Sequence, residues 1–431
     1  MSLKSDKVAV IGAGPMGLAV AYELILKGYK PEIFEADNRL GGMAASFNFD
    51  GLEIERYYHF HCLNDYAFFD LLDEIGLKKE LKWKKTKMGF FYQNKLYKWG
   101  SLNSVLLFSK VSIFTRIRYL LHALRCLTIK DWSNLDKISA MDWLKKWLGK
   151  KGYSILWGKL FEYKFYNFSS NISAAWIWSR INRLGKSRKY LVENLGYLNQ
   201  GSLDLINKLE NIIRKNGGVI NLSEPVLCIN PINNGGAIIK SSNKTDTYHS
   251  VITTIPIPLL TKIFKTSGID RRIIKNYEKT ISIACACVIL KTSKKITDNF
   301  WTNINDNRYS IPGIVEMSNL RELDSHIIYV PFYMPEQHPN YIKSDKNLIE
   351  EAWECIKTIN PNIEDKDLIS SCCNRYRYAQ PVIGTEYKKN LPPKQPFKRI
   401  FTVDTTFYYP EDRGISESIK FGRDLVRENF N

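Results

Sequence analysis

The part of the sequence that most constrains the fold is residues 7–47, which read KVAVIGAGPMGLAVAYELILKGYKPEIFEADNRLGGMAASF. An apolar run over residues 8–11 predicts a buried strand, which opens into a glycine-rich turn. A helical pattern of apolar residues follows over residues 18–26, and a second predicted strand over residues 30–34 ends at Glu35. Strand, turn, helix and strand in this order are typical of a βαβ nucleotide-binding unit.

The glycine-rich turn carries the residue types that a bound pyrophosphate requires. Its glycines allow a tight bend, a close approach of the backbone to phosphate and close packing of helix on strand; they are Gly12, Gly14 and Gly17. The helix that begins at Pro15 supplies partial positive charge at its N-terminus, together with backbone N–H donors from Met16 onward. Glu35, at the end of the second strand, is placed to accept hydrogen bonds from a ribose diol. A glycine motif alone also occurs in ordinary tight turns, but the complete unit favours a dinucleotide site.

The residues after Glu35 add a second glycine-rich pattern. It contains an arginine and a pair of glycines, within the set Ala36, Arg39, Gly41, Gly42 and Met43. This pattern resembles the second FAD segment of the large flavoprotein class that contains amine oxidases, protoporphyrinogen oxidases and UDP-galactopyranose mutases. In that class the arginine and the glycine pair lie along the pyrophosphate and the flavin, whereas NAD dehydrogenases usually lack them. The resemblance therefore implies that the cofactor is FAD.

The resemblance also implies an α/β fold with a discontinuous Rossmann-type FAD-binding domain, a mixed-sheet substrate domain and an inserted helical cap. Two joined domains suit the length, because 431 residues exceed the size that one core usually serves. The expected divisions are an N-terminal FAD-binding portion (1–60), a substrate and helical cap domain (61–195), a central FAD-binding portion (196–260), the antiparallel sheet of the substrate domain (261–395) and a C-terminal FAD-binding portion (396–431).

Two later stretches of the sequence are similar to further FAD segments of this class. The resemblance implies that the backbone at Val226 touches the adenine end of FAD and that the Thr-Thr-Ile-Pro turn at Thr254 leads the chain out of the FAD domain. It implies that Asp404 contacts the ribityl–pyrophosphate linker, although many members have Gly-Glu where this chain has Val403-Asp404. The last helix then directs its N-terminus at the flavin, through Gly414, Ile415 and Ser416.

Two of the six histidines lie two positions apart in the segment RYYHFHCLN, residues 56–64. On an extended segment, His59 and His61 would point the same way. The segment resembles the histidine-containing loop of UDP-galactopyranose mutases, which lies near the flavin ring. Histidine titrates near neutral pH and suits an acid, a base or a phosphate contact, so both are candidate catalytic residues. The alternative is a pair of structural histidines hydrogen-bonded within a loop.

A basic and aromatic strand is predicted over residues 370–382. A similar strand in the resembled class lies beside the substrate face of the flavin, which adds four candidate catalytic residues: Arg375, Tyr376, Arg377 and Tyr378. These side chains should alternate between the sheet and the cleft, but the alternation does not say which pair faces the flavin.

An aromatic and basic segment over residues 153–188 is a further candidate for substrate binding. Trp176 and Trp178 could stack on a sugar or a base while Arg180 and Arg183 hold phosphate. The alternative is that both tryptophans pack in a helical core.

The longest apolar stretch, residues 104–127, predicts a helix. Its apolar face consists of Ile113, Phe114, Ile117, Leu120, Leu121 and Leu124, opposite Arg118, His122 and Arg125. One interpretation, which we favour, is a cap-domain helix packed on its neighbours. The other is a basic amphipathic helix lying on an anionic membrane, as the inserted helical domain of protoporphyrinogen oxidases does.

The composition favours anionic partners. Lys and Arg number 62 against 44 Asp and Glu, a net charge of +18, and no nucleic-acid-binding motif accompanies this charge. The eight cysteines lack zinc-ligand spacing, so we expect no metal site and free thiols in a reducing cytoplasm. The first strand is predicted within a few residues of Met1, which leaves no room for a signal peptide, and no apolar run is long enough to span a bilayer. We therefore expect a cytoplasmic protein, at most peripheral to the inner face of the membrane.

Three functions remain open. The first is an FAD-dependent oxidoreductase acting on a sugar nucleotide or another phosphorylated or anionic substrate, in cell-surface polysaccharide biosynthesis. The second is a redox-neutral isomerase like UDP-galactopyranose mutase, which uses reduced FAD. The third is a peripheral membrane flavoprotein acting on an isoprenoid or porphyrin-like substrate.

Overall fold

The computed structural model describes residues 6–189 and 192–431. The first five residues, on which the expectation about a signal peptide rests, lie outside this range. The strands are Lys7–Ile11 (β1), Lys30–Phe34 (β2), Ser46–Phe49 (β3), Leu52–Glu55 (β4), Lys82–Lys85 (β5), Met88–Tyr92 (β6), Lys95–Trp99 (β7), Arg188–Lys189 (β8), Val192–Tyr197 (β9), Val219–Asn221 (β10), Val226–Pro231 (β11), Ala237–Ser241 (β12), Thr245–Tyr248 (β13), Ser250–Thr253 (β14), Ser282–Thr292 (β15), Trp301–Asn305 (β16), Gly313–Glu316 (β17), His326–Pro335 (β18), Leu368–Pro381 (β19) and Ile400–Thr402 (β20).

The α-helices are Pro15–Leu26 (α1), Tyr66–Glu74 (α2), Leu102–Leu107 (α3), Ile113–Thr128 (α4), Ser133–Asp136 (α5), Ala140–Tyr153 (α6), Lys159–Phe165 (α7), Ala174–Lys186 (α8), Ser202–Lys215 (α9), Ile257–Thr266 (α10), Arg271–Glu278 (α11), Asp345–Ile359 (α12) and Ile415–Asn429 (α13). A π-helical turn, Ser154–Gly158, joins α6 to α7, and short 3₁₀ turns occupy several of the other connections.

A five-stranded parallel sheet forms the first layer, in the order β10-β2-β1-β14-β20. Its strands come from widely separated stretches of the sequence, because long insertions lie between β2 and β10 and between β14 and β20. Parallel strands joined by helices and buried on both faces are typical of a Rossmann-type domain. The predicted discontinuous α/β fold is therefore confirmed.

The N-terminal helix α1 is buried on most sides because α9 and α13 cover it. Gly422 on α13 permits this closeness, since a Cβ there would lie 2.9 Å from the carbonyl oxygen of Met16. Arg423 on α13 is 5% exposed, and its guanidinium contacts Glu23 of α1 at 2.6 Å and Glu74 of α2 at 2.8 Å. These ion pairs fasten the last helix to the first one.

A seven-stranded mixed sheet forms the second layer, in the order β19-β15-β18-β17-β16-β6-β7. Its two longest central strands, β15 and β18, pair antiparallel, as the sequence predicts. The alternation along β15 sends Ala284 and Ala286 towards α12 and sends Cys285 and Cys287 into the other core. Both faces are covered, which explains why this strand reads as a continuous apolar run.

The helical insert differs from the expectation for residues 104–127. Two helices, α3 and α4, replace the single predicted helix, and Ser112 caps α4 by accepting a hydrogen bond from the backbone N–H of Thr115. His122, placed on the polar face by the sequence pattern, is 1% exposed and lies 4.4 Å from the ring of Trp143. Burial lowers the pKa of His122 to about 4, so the imidazole is neutral in this packing.

The apolar face of α4 correspondingly points outward. Its exposed apolar side chains are Ile113, Phe114, Ile117, Leu121, Leu124 and Leu127. The favoured interpretation, that this helix packs on its neighbours, is confirmed, because α4 contacts α6 and α8. The residues of α4 that are buried are His122 and Cys126, so the apolar face is not the side that these contacts bury. Within the described residues, none of the helices has both the length and the hydrophobicity needed to cross a membrane.

Candidate active site

The glycine-rich turn lies between β1 and α1, and its three glycines meet different surroundings. Gly12 has a φ of +100°, and a Cβ on Gly17 would lie 1.9 Å from the carbonyl oxygen of Gly12. Both positions therefore require glycine. Gly14 differs, because a Cβ there would meet nothing within 4 Å. The N-terminus of α1 is open at this position, where a phosphate can approach the backbone N–H groups.

Glu35 lies beside this turn at the end of β2. Its Oε2 accepts a hydrogen bond from the backbone N–H of Ala13 at 2.7 Å, and its Oε1 accepts one from Asp37 at 2.9 Å. Burial raises the pKa of Glu35, while the backbone N–H groups of Asp37, Ala13 and Ala36 oppose this shift. The carboxylate is thus fixed at the tip of the strand, in the position where a ribose diol is bound in Rossmann-type folds.

The second glycine pair packs directly on the first motif. The backbone N–H of Gly41 donates to the carbonyl oxygen of Ala13 at 2.9 Å, and a Cβ on Gly42 would lie 3.4 Å from the Cα of Gly14. Arg39 lies 3.7 Å from the carboxylate of Asp37. The two segments identified in the sequence therefore form one cradle.

The remaining predicted FAD residues reach the same region by different routes. Thr254 donates from Oγ1 to the carbonyl oxygens of Ile11 and Gly12, at 3.0 and 3.2 Å. Both oxygens of Asp404 accept backbone hydrogen bonds, from Ile257 and Thr406, each at 2.9 Å. Thr254 thus supports the glycine turn, and Asp404 links the segment after β20 to the start of α10. Burial raises the pKa of Asp404 to about 6.

Val226, Ser416 and the start of α13 complete this set. Val226 is buried at the start of β11, two residues after Glu224, whose N–H donates to the carbonyl oxygen of Glu35 at 2.8 Å. Ser416 accepts a hydrogen bond from the N–H of Phe68 at 3.4 Å. Gly414 and Ile415 line the same cavity as Pro15 and Met43.

The residues present fit FAD. Open space at Gly14, the fixed carboxylate of Glu35 and the convergence of the three segments provide for a pyrophosphate and a ribose. Two buried polar atoms that face this region, Nδ1 of His59 and Oε2 of Glu417, have no hydrogen-bond partner among the described residues. Burial raises the pKa of Glu417 to about 7. Such unsatisfied atoms are expected where a polar group belongs.

A cavity of about 630 Å³ begins at this cradle and runs between the mixed sheet and the helical insert. Its walls include Met43 from the glycine segment, Tyr333 from β18, and Leu120 and Leu124 from α4. Tyr58 also lines it, with its hydroxyl 3.5 Å from that of Tyr333. The cavity thus joins the FAD-binding domain, the mixed sheet and the helical insert.

The two histidines proposed as catalytic residues lie in different surroundings. His59 lines the cavity, and burial lowers its pKa, so its imidazole is neutral. His61 does not line the cavity: it stacks on Phe68 with ring centroids 3.7 Å apart and lies 3.8 Å from Asp65. Burial lowers its pKa to about 3. The backbone of His61 pairs with Gly196, and its side chain is buried in the core instead of lining the cavity.

The four candidates on β19 divide by face. Arg375 pairs with Asp345, and Arg377 contacts Glu336 at 2.6 Å, so both arginines lie on the side of α12 and away from the cavity. Tyr376 pairs across the sheet with Cys285 and shares its face. Tyr378 lies on the side of the parallel sheet, where its hydroxyl accepts a hydrogen bond from Lys262 of α10 at 2.8 Å. None of these four residues lines the cavity, although Tyr376 lies near Glu35 and Asp404 of the cradle, and their catalytic assignment stays a prediction.

The tryptophans of α8 belong to the core. Trp176 is fully buried, and Trp178 donates to the carbonyl oxygen of Cys126 at 2.9 Å. Both tryptophans therefore pack in a helical core, which is the alternative interpretation, and do not line the cavity where a sugar or base could stack on them. Arg180 and Arg183 do line the cavity, each with an ion pair: Arg180 with Asp412 at 2.6 Å and Arg183 with Asp65 at 2.9 Å.

Several cavity residues carry no motif in the sequence. Lys164, Tyr333 and Arg413 converge here from α7, β18 and the segment before α13. Two signals were available in the sequence: Lys164 lies in the aromatic and basic segment 153–188, and Arg413 stands next to Gly414. Tyr333 lies in an ordinary apolar segment.

A parallel sheet with this glycine cradle, a fixed acid and a cavity closed by a mixed sheet defines a flavoprotein that binds FAD between two domains. The model of the family described as flavin containing amine oxidoreductase matches residues 17–405. The chain belongs to this family, whose description names flavin as the cofactor.

Curated relatives match over a short stretch of their length. The zeta-carotene desaturase of Synechocystis sp. is 37% identical over 90 residues, which is 20% of this chain and 18% of the relative. Chloroplastic/mitochondrial protoporphyrinogen oxidase 2 of Arabidopsis thaliana is 35% identical over 79 residues, which is 18% of this chain and 16% of the relative.

Solved structures match over nearly the whole chain. An oxidoreductase from Methanosarcina mazei has a TM-score of 0.75 at 18% identity, covering 98% of this chain and 100% of that protein. Reduced UDP-galactopyranose mutase has a TM-score of 0.75 at 14% identity, covering 98% and 95%. At these identities the similarity establishes the fold.

Proposed function

We propose that this FAD-dependent oxidoreductase acts on a small anionic substrate held in the cavity between the two sheets. The observation that carries the proposal is that one cavity is lined both by a predicted FAD segment and by cationic side chains. The start of α13, a predicted FAD segment, lines the same cavity as the cationic side chains of Lys164, Arg180 and Arg413. A cation-rich cavity beside a redox cofactor favours an anionic substrate.

The residues of the cavity have separable roles in this proposal. Bound FAD would supply two-electron redox chemistry. Lys164 and Arg413 would hold the anionic group of the substrate, and the neutral imidazole of His59 would accept a proton at Nδ1. The buried residues of β15 and β18 would keep water away from the inner end of the cavity.

A redox-neutral isomerase acting on a sugar nucleotide is the second candidate. The similarity in fold to UDP-galactopyranose mutase favours it, together with the arginines of the cavity, because arginine binds phosphate well.

Peripheral contact with an anionic membrane belongs to the proposal as well. The exposed apolar face of α4 carries Phe114 and Leu121, and Arg118 and Arg125 are exposed on the same helix. Apolar side chains flanked by arginines complement an anionic lipid surface.

Purified protein should be yellow and contain close to one FAD per chain, measured by absorbance after denaturation. Anaerobic mixing with candidate anionic substrates should bleach the flavin, and oxygen consumption would identify an oxidase. Turnover of UDP-galactopyranose only after reduction by dithionite would instead establish the isomerase. A colourless protein that FAD cannot reconstitute would refute both candidates.

A further inference from the structure

Lys164 is an unusual side chain in this cavity, because it is a lysine that is only 3% exposed. Its Nζ lies 5.0 Å from the ring centroid of Trp176 and 5.1 Å from that of Tyr333. No oxygen of the described residues accepts a hydrogen bond from this ammonium group, although the side chain lines the cavity. Buried lysines normally have a charged or polar partner, so the missing partner points to a bound group.

The surroundings of Lys164 carry an excess of positive charge. Asp412 is the acid at this end of the cavity, and its carboxylate is already engaged by Arg180 at 2.6 Å and by the backbone N–H of Arg413 at 3.0 Å. The guanidinium of Arg413 donates to the hydroxyl of Tyr333 at 2.9 Å and to the carbonyl oxygen of Ala379. Lys164, Arg180 and Arg413 therefore face one carboxylate at the inner end of the cavity, where Lys164 is buried and the two arginines are half-buried. An anion that enters here would stabilise this arrangement.

The opposite end of the cavity is apolar and reaches the surface. Leu120 and Leu124 of α4 line it together with Leu102 and Val105 of α3. Leu124 is 59% exposed and Leu102 is 52% exposed, so these residues form both a wall of the cavity and a portion of the outer surface. The cavity thus runs from an apolar mouth on the helical insert to a buried cationic interior.

We propose that the substrate is an amphiphile whose carboxylate or phosphate lies against Lys164 and Arg413, and whose apolar body extends along α3 and α4 to the mouth. This inference rests on the proposed function and deepens it, because it specifies the class of substrate. Lys164 selects the anionic head group, and the leucines of the insert accept the apolar body.

Calorimetric titration of the FAD-loaded protein tests the inference with octanoate, octyl phosphate and 1-octanol as probes. We expect at least one of the two anions to bind at least tenfold more tightly than 1-octanol, since a charge-assisted hydrogen bond in a buried site has this effect. The ratio between octanoate and octyl phosphate identifies which head group the site prefers.

Variants separate the two ends of the cavity. Lys164→Met should weaken the preferred anion at least tenfold and leave 1-octanol within about twofold, while Lys164→Arg should retain the anion. Leu124→Asp should weaken both octanoate and 1-octanol, and Leu227→Asp is its control, at a leucine that is 44% exposed on β11.

Equal affinity for octanoate, octyl phosphate and 1-octanol would overturn the inference, and so would Lys164→Met with unchanged anion affinity. The FAD content, read before each titration, reports separately on the proposed function. A yellow, catalytically active protein that binds the anions no more tightly than 1-octanol would refute the inference of an amphiphilic substrate and leave the proposed function standing. A colourless protein would refute the proposed function, and its affinity ratio would still be measured.

Discussion

At the scale of single residues, Gly14 and Gly17 both belong to the glycine motif, but the structure gives them different constraints. Gly17 has the backbone of Gly12 against it, whereas Gly14 faces open space with a φ of −69°, which any residue can adopt. A side chain at Gly17 should therefore disturb the fold, whereas one at Gly14 should fill only the space that the cofactor needs.

We expect Gly14→Val to reduce the FAD content of purified protein at least tenfold while the thermal midpoint of the FAD-free protein stays within about 2 °C of the parent. Gly17→Val, the matched variant, should lower that midpoint strongly or prevent folding, because its side chain would overlap the carbonyl of Gly12. Fluorimetric thermal scans and flavin absorbance give both quantities. Full FAD content in Gly14→Val would contradict the assignment of this opening to the cofactor.

The charge of Lys164 should make anion binding depend on pH. Burial and repulsion by Arg180 and Arg413 hold the pKa of Lys164 well below its usual range, although Asp412 and the thiol of Cys285 oppose this. The other groups facing the ammonium are the rings of Phe165, Trp176 and Tyr333.

A bound anion raises the pKa of Lys164, so the complex takes up a proton between the free and the bound pKa values. Affinity for octanoate is then full below the free pKa and falls as the pH rises through the bound pKa. Titrations in buffers of different ionisation enthalpy measure this uptake, and Lys164→Met should remove it. Proton release on binding would contradict the prediction.

At the scale of elements, α4 presents its apolar face outward although its sequence pattern is that of an ordinary amphipathic helix. Phe114 is 76% exposed and Leu107, at the end of α3, is 79% exposed. Surface apolar side chains grouped in this way mark an interaction site more often than a free surface.

We expect the protein to float with vesicles rich in phosphatidylglycerol, and the variant Phe114→Glu/Leu121→Glu to remain in the soluble fraction. Arg118→Glu/Arg125→Glu should also abolish flotation, and salt should weaken the binding of the parent. Ile342→Glu is the control, at an isoleucine that is 84% exposed outside the helical insert. Flotation that all three variants share would rule out α4 as the contact.

The contact between α13 and α1 leads to a second prediction at the scale of elements, which concerns stability. Arg423→Met removes the buried guanidinium from Glu23 and Glu74 and leaves the half-exposed Arg427 as the remaining cationic partner of Glu23, so the variant should lose about 3 kcal/mol in the free energy of unfolding. Arg427 contacts Glu23 as well, but it is 49% exposed, so Arg427→Met should cost less than about 1 kcal/mol. Urea denaturation compares the two variants. Equal decreases in the free energy of unfolding would mean that burial does not make the Arg423 ion pairs more stabilising than the exposed one of Arg427.

At the scale of the whole molecule, local chemistry made the FAD-binding half predictable. Gly12, Gly17 and Glu35 act through backbone geometry and hydrogen bonds within one βαβ unit, so their spacing in the sequence already contains their arrangement. The strand over residues 370–382 was also predicted, and β15 is readable as a strand because burial on both faces leaves a continuous apolar run.

The residues around the substrate cavity were only partially predictable, because their orientation depends on contacts with residues that are distant in the sequence. His61 turns inward through its pairing with Gly196, and the arginines of β19 turn towards acids near and on α12. The periodicity of α4 located its apolar face, but only the position of its neighbours determines which face is covered. The segment 153–188 contains Lys164, but nothing in it marks this lysine, whose surroundings include Tyr333 and Asp412 from distant parts of the sequence.

The packing of α13 on α1 has a consequence for the synthesis of the protein on the ribosome. Glu23 and Arg423 are 400 positions apart, and although α9 covers one side of α1, the side facing α13 is covered only when that last helix has been synthesised. At a translation rate of roughly 5–20 residues per second, the ribosome needs about 20–80 s to supply the missing helix. During that time the nascent chain carries an uncovered first helix and an incomplete cofactor cradle. Chaperones that act on growing chains should therefore govern the yield of this protein more than the stability of its finished form.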